Sequence, residues 1–547
     1  VADYDVNDVA SVGYIGDIPG WQLPPEAWTF AENVRIQNDN VGVGASWSSI
    51  IDTSIVDNAS PWIIQAIRTP DNQQWLTYAS LSDIYGFDGI NIANISGPSA
   101  PYGTAFGYEW VITQLSGVPI YTNNRKPPQY WTSLSLSSDC ADLPDWTASL
   151  GNAATCRSIR AFGPYLVALN VTLGVGGAAN VVGTPEATAV VAHPHGVIWS
   201  HPADPGHMPA SWNFADPTKD AGFNELNDAD AGVIVDGLPL RSNFYIYKEN
   251  ATWVMRLVGG QYVMQFDPFL LQSGIMAAHC AALTGDGKFH FVATADDVII
   301  HDGVSAKSLL DQRTRRTLFN RIDVSGYRMC HVFAVPSQRE MWFAYPESGA
   351  SQITRALVWN YSGGGDGVLY ESVFPYPSAA VSEVAVAGTA WDAAVGAWDD
   401  ETDIWDANAR RQTVIADPYG KQVLQMDLSL RRDSVPFMVT LRREGLSFLG
   451  KRRGGEPLVD FKQRKFIRRI WPKMTNAPCQ IRVGYTDTVD GATLWSSAVN
   501  FDPATQVYAD FISSGREAPS VEFSWNSADG LGKLYGYKLE VFPAGRF

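Results

Sequence analysis

The sequence predicts an all-β chain: a β-propeller of about six blades with an additional C-terminal β-sandwich-like domain. Three observations lead there. Short apolar runs alternate with turns rich in Gly, Pro, Asn and Asp along most of the 547 residues. The runs group into units that recur roughly every 40 to 50 residues, the spacing of propeller blades. Hydrophobic residues make up 46% and aromatics 12% of the chain, enough for a large core, yet no long amphipathic helix pattern is visible. A single unit of this kind cannot bury both of its faces, so the units must stack on one another.

Residues 1–60 are expected to form an extended N-terminal segment packing on the propeller. Residues 61–388 hold the blades, with units starting near 62, 108, 156, 232, 281 and 328. In the first unit, "WIIQAIRTPDNQQWLTYASLSDIYGFDGINIANI", three strand-like runs are separated by "PDNQQ" and "GFDG", both of them turn chemistry. The wide interval after 156 requires an insertion, which the loop-like stretch 201–231 supplies, and a short helix fits around 305–320. Residues 389–411 form a connector that repeats a Trp-Asp step every seven residues: Trp391-Asp392, Trp398-Asp399 and Trp405-Asp406. Seven-residue spacing suits one face of a helix, but Gly396 and the crowded Asp399, Asp400, Glu401 and Asp403 oppose a helix and favour successive turns. Residues 412–547 are expected as a β-rich platform or docking domain with a basic segment.

Charge singles out that segment. The chain carries a net −17, but residues 431–473 hold 13 Lys and Arg against 4 Asp and Glu, a local +9 that leaves −26 for the remainder. Such separation marks a docking surface or a nucleic-acid face. The candidate partner and assembly residues are Arg442, Arg443, Lys451, Arg452, Arg453, Lys462, Arg464, Lys465, Arg468 and Arg469. The interleaved Phe448, Phe461, Phe466 and Trp471 could stack on bases, but with so acidic a remainder the preferred partner is an acidic patch on a neighbouring protein, including another copy of this chain.

The cysteines, Cys140, Cys156, Cys280, Cys330 and Cys479, are odd in number and scattered, which points to buried free thiols rather than a disulfide framework; Cys140 and Cys156 alone lie close enough in sequence for a local bridge. The acidic N-terminus "VADYDVNDVASVGYIGD" has no signal-peptide pattern, and no apolar run reaches the length of a membrane span. His193, His195, His201 and His207 cluster in "HPHGVIWSHPADPGH", but prolines interrupt the stretch and no carboxylate or Cys stands at a matching spacing, so no metal is expected. "GVGGAA", 174–179, has the glycine spacing of a dinucleotide loop without its helix, so no cofactor is expected. Nucleophile-elbow, zinc-protease and phosphate-loop motifs are missing from the sequence, and an enzyme is not indicated.

Two stretches then resemble a known family. "GDIPGWQLPPEAWTFAENVRI", 16–36, is similar to the opening of phage tail proteins in which Leu23, Pro24, Pro25, Trp28, Asn33 and Arg35 make an "LPP…W…NVR" element ahead of a propeller. "SSGREAPSVEFSW" and "GYKLEVFPAGRF", with Gly515, Arg516, Gly536, Gly545 and Arg546, resemble the ending of the same chains. The family is the tail nozzle, or tail hub and stabilisation, protein of short-tailed bacteriophages. The resemblance implies a non-enzymatic virion structural protein, made in the host bacterial cytoplasm and built into the tail. It would form a hexameric ring around the distal DNA-exit channel, touching the tail adaptor and other phage tail proteins such as fibres or spikes, with genomic DNA passing transiently. The alternative from another class is a carbohydrate-binding or glycan-cleaving propeller of a phage fibre or spike.

Overall fold

Alternating strand and turn chemistry gives an almost entirely β chain in the computed structural model, with two α-helices, Trp146–Leu150 and Gln312–Arg321, among the described residues. The structure describes the whole chain except residues 1, 17, 38, 70–73, 132, 180–187, 229, 261, 364–366, 383–410, 447–449, 452–456, 459–462, 487–490, 512–519 and 547.

Seven four-stranded antiparallel sheets account for the middle of the chain among the described residues. Six of them are meanders in chain order, spanning 63–94, 111–142, 155–225, 234–270, 281–308 and 331–373. The six unit starts read from the sequence fall at the beginnings of these sheets. The seventh is assembled differently: Ser378–Ser382, Gln412–Asp417 and Gln422–Met426 are completed by an outer strand from near the N-terminus, Trp47–Asp52. The leading strand of each sheet touches the leading strand of the next, and that of the seventh touches that of the first, so the contacts run round in a circle.

Apolar side chains fill every gap between consecutive sheets. Ile63, Tyr102, Trp110 and Trp131 lie between the first and second, and Leu115, Ile120, Ile159 and Ala168 between the second and third. Val167, Leu169, Ile234 and Phe244 lie between the third and fourth. A larger cluster containing Val254, Phe291, Val332 and Phe343 runs from the fourth through the sixth, and Ile51, Ile64, Tyr78 and Val414 join the seventh to the first. Strands covered on both faces read as unbroken apolar runs, as in Glu340–Tyr345, where all six residues are buried and the five after Glu340 are apolar or aromatic. That explains why the middle of the chain lacks a clean in-out alternation.

Two six-stranded sheets form a separate sandwich. Val439, Leu441, Ile481, Val483, Val521 and Phe523 face Ile467, Ile470, Leu534, Leu539 and Val541 across it. The same core continues into Phe333, Trp342, Tyr370 and Phe374, so the sandwich shares its interior with the sixth and seventh small sheets. Here the N-terminal segment departs from the expectation of an extended strip. Ala2–Asn7 pairs with the last strand, Phe30–Glu32 with Met438–Arg443, and the hairpin Val34–Gln37/Asn40–Val43 joins the last strand through Val41. Its short strands gain their partners more than 400 residues away, which local patterning does not reveal. Residues 412–426, expected in the C-terminal domain, belong instead to the seventh small sheet.

The helix Gln312–Arg321 begins where Asp311 accepts a hydrogen bond from the Thr314 N–H at 2.7 Å, satisfying one of the first-turn donors. Two of its four arginines are ion-paired, Arg315 to Asp297 at 2.7 Å and Arg321 to Glu347 at 2.8 Å and Glu371 at 2.9 Å.

Buried histidines give the fold a pH dependence. His290 donates from Nε2 to the Pro239 carbonyl at 3.1 Å, which leaves Nδ1 to accept from the Tyr247 hydroxyl at 2.8 Å. Tyr247 in turn accepts from His301 Nε2 at 2.7 Å. Burial lowers His290 to about 4 and His301 to about 3, the latter helped by its histidine neighbour, and burial also lowers His331 to about 3. The unfolded chain therefore binds more protons than the folded one below the ordinary histidine value of about 6.5. The stability contribution is intact above that pH and declines at about 1.4 kcal/mol per pH unit per histidine as pH falls toward the folded values. Urea midpoints measured from pH 7 to pH 4.5 are expected to fall steadily, and His301→Phe is expected to flatten the slope.

Candidate functional site

The basic segment does not form one surface. Arg442 and Arg443 are neighbours on the strand Met438–Arg443, so the strand period sends them to opposite faces. Arg442 points outward, bonded to Glu522 at 2.5 Å, with its guanidinium 4.7 Å from the Phe30 ring centroid. Arg443, expected on the assembly surface, is buried. It donates to the carbonyls of Leu23 at 2.9 Å and Pro24 at 3.3 Å, and also to that of Glu444. Burial lowers its pKa, because few charges nearby repay its desolvation. Its work is structural: it fastens the 19–27 segment to the sandwich.

Arg468 and Arg469 lie on the other sheet of the sandwich. The pairing of Gln463–Thr475 with Lys533–Arg546 slips between Ile467 and Arg469. This bulge lets two consecutive arginines leave the core between the buried Ile467 and Ile470. Arg469 is bonded to Asp510 at 2.7 Å and lies 4.7 Å over Tyr508, while the exposed Arg468 lies 5.7 Å over Phe542. Lys538 sits 5.5 Å over Trp471, so cations and aromatic rings interleave on this face. Exposed Val507 adjoins it in sequence. Lys451 lies in a short strand, Gly450–Lys451, and Arg464 and Lys465 lie in Gln463–Thr475. Arg452, Arg453 and Lys462 lie outside the described residues, as do Trp391, Asp392, Trp398, Asp399, Trp405 and Asp406.

The positions that carried the family resemblance are mostly internal fastenings. Trp28 is buried against Phe523 and Tyr537 and donates from Nε1 to the Val9 carbonyl at 2.8 Å. Asn33 adopts φ 58°, donates to the Met438 carbonyl at 2.8 Å and accepts from Arg432 at 2.6 Å. Arg35 is buried between Glu340 and Asp427. Pro24 and Pro25 are exposed. Gly536 lies where a Cβ would come within 2.6 Å of the Val6 carbonyl oxygen, which lets strand Ala2–Asn7 run alongside. Gly545 and Arg546 are in the last strand, and Gly515 and Arg516 lie outside the described residues.

Sequence reasoning missed a cavity of about 350 Å³ at the middle of the circle of sheets. Its wall takes at least one residue from each leading strand: Ile64, Ile112, Arg160, Leu238, Ala282, Phe333 and Ala380. Arg160 is held there by Asp236 at 2.6 Å and donates to the Ile112 carbonyl at 3.1 Å; Ser158 also donates to Asp236, at 2.6 Å. Burial opposes the charge on Asp236, but the Arg160 guanidinium beside it outweighs that and holds the carboxyl down at about 2. The nearby His279 is lowered by burial and then by the positive charges of Arg160 and Arg157. No local pattern could have exposed this site, since its wall is drawn from seven strands scattered between residues 63 and 382, each contributing one to four residues.

All five cysteines are free and buried, with thiols raised by desolvation. His193 is bonded to Glu225 at 2.6 Å, and among the described residues no group of His, Cys, Asp and Glu is arranged to hold a metal ion. No described helix is long and apolar enough to cross a membrane.

No protein-family model matches the chain, and no curated protein matches it. Among solved structures, it is similar to the extracellular domain of a one-component system from B. thetaiotaomicron, with 7% identity and a TM-score of 0.38. The match covers 94% of this chain and 63% of that one, so this chain spans less than two thirds of the matched structure.

Proposed function

We propose that the chain is a structural subunit of a short bacteriophage tail, a nozzle or hub protein assembled as a hexameric ring, and that its seven small sheets are the blades of a β-propeller. The propeller reading is supported by the circular contacts of the leading strands and by the axial cavity they line. The outer strand Trp47–Asp52, which ties the seventh sheet to the chain just before the first, supports it as well.

The observation that carries the tail reading is the union of the two stretches that resemble nozzle proteins. They lie at opposite ends of the sequence, yet residues of both build one sandwich against the sixth and seventh sheets. Such a body, carrying cations and aromatics on an outer face, suits docking to an acidic neighbour, while the acidic remainder would repel phosphate and let DNA slide past. In this reading the chain is not an enzyme.

Quantitative peptide mass spectrometry on density-purified, DNA-filled particles tests the assignment. About half as many copies as the portal subunit is the expected result; a protein found free in the lysate and missing from particles would refute it. Arg468→Glu reverses the charge of the exposed arginine and is expected to abolish ring assembly while leaving the melting temperature within about 2 °C, as befits a solvent-facing change. Analytical ultracentrifugation with circular dichroism reads both.

A further inference from the structure

At the end of the sheet array where the leading strands begin, a second cavity of about 320 Å³ is lined by Arg125, Arg157 and Arg328 with Glu109. Arg125 and Glu109 neutralise each other through two hydrogen bonds of 2.8 and 3.0 Å. Arg157 and Arg328 have no carboxylate partner in that wall, and the Arg157 Nε is buried with no hydrogen-bond partner among the described residues. An unsatisfied buried donor such as the Arg157 Nε is costly, and the exposed Arg328, which donates to the Tyr327 hydroxyl at 3.2 Å, brings a second guanidinium to the same wall. Guanidinium forks match the two oxygens of a carboxylate.

A third cavity, of about 350 Å³, shares Tyr108 and Arg328 with this one and is walled by Trp62, Phe106, Met329 and Tyr419. Phe106 and Tyr108 are stacked, with centroids 5.1 Å apart and planes 8° from parallel, and Trp62 meets Tyr419 edge-on at 5.9 Å. Phe106 and Tyr419 are each more than half exposed, at 53% and 55%. The platform is held in place from below. Trp110 is buried and donates to the Ser80 carbonyl at 2.9 Å, and Gly107 lies against Trp62 where a Cβ would approach its side chain to 2.6 Å. Tyr108 and Arg328 stand in both walls, and Arg328 donates to the Tyr327 hydroxyl at 3.2 Å, so the aromatic and cationic parts are joined.

We infer that these joined cavities form a binding site for an acidic saccharide, its carboxylate held by Arg157 and Arg328 and its ring face laid on the Phe106, Tyr108 and Trp62 platform. Flat, exposed aromatic faces suit the C–H face of a sugar ring. A bare anion would make no use of them, and the site needs no other copy of the chain. The inference stands apart from the tail assignment, because the binding is read on the isolated chain.

Calorimetric titration of the full chain at low salt, with a uronate trisaccharide, a sialylated trisaccharide, their neutral counterparts and inorganic phosphate, tests it. Saturable binding of at least one acidic sugar is expected, with the neutral sugars silent. Arg157→Met and Arg328→Gln should each weaken binding by about tenfold or more, the loss expected for a charge-assisted hydrogen bond. Phe106→Ala, a solvent-facing change that leaves folding intact, should weaken it several-fold. Two results would overturn the inference: no binding of either acidic sugar, or binding of phosphate as tight as that of the sugars and indifferent to Phe106→Ala.

Discussion

Arg35→Met is expected to cost about 3–5 kcal/mol of stability, the loss typical of removing one partner from a buried ion pair. Arg35 donates to Glu340 at 2.9 and 3.3 Å and to Asp427 at 3.2 and 3.0 Å, so four hydrogen bonds end on one guanidinium. Burial alone would lower its pKa, but the carboxylates of Asp427 and Glu340 outweigh that and hold it well above the usual arginine value. Glu340 is wholly buried and also accepts from Tyr370 at 2.6 Å and Trp342 at 3.1 Å, so it cannot turn to water when Arg35 is lost. The three residues come from the sandwich, the sixth sheet and the turn after the seventh, so the mutation should loosen the sandwich from the small sheets. Arg35→Lys should recover less than half of the loss, because an ammonium cannot reproduce the planar fork. Urea unfolding followed by tryptophan fluorescence would report both; a loss under 1 kcal/mol for Arg35→Met would remove the clamp from this account.

Asp236→Ala is expected to cost a similar amount, about 3–5 kcal/mol, by stranding Arg160 beside the axial cavity. Its pH dependence separates it from the histidines. The folded pKa of about 2 lies below the unfolded carboxylate value, so the contribution is complete above about pH 4 and is lost as pH falls toward 2. Acid unfolding of the wild-type chain should therefore have a histidine limb beginning near pH 6.5 and a carboxylate limb below pH 4. The variant should lose part of the lower limb and keep the upper one.

The sequence made six of the small sheets legible because each opens with an apolar strand and closes on turn chemistry within one window. The seventh escaped for physical reasons. Its leading strand, "SAAVS", is short and built of small residues, its next strand begins 30 residues later at Gln412, and its outer strand comes from Trp47–Asp52. The N-terminal strands were hidden in the same way, since a three-residue strand such as Phe30–Glu32 has no pattern apart from its partner. The basic segment announced charge but not direction: strand alternation buried Arg443, and a bulge turned Arg468 outward. The cavity arginines, Arg125, Arg157 and Arg328, come from three different sheets or their lead-in turns, and only the folded arrangement brings them together.

The seventh sheet has a consequence for biosynthesis. Trp47–Asp52 leaves the ribosome early, but the strand it pairs with, Gln422–Met426, follows only after all six intervening sheets have been made. Until then one hydrogen-bonding edge stands open, able to pair with the wrong strand or with a neighbouring nascent chain. A translation product that stops short of residue 422 can stack its early sheets but lacks the strand that joins the two ends, so truncated chains should be aggregation-prone and readily cleared by cellular proteases.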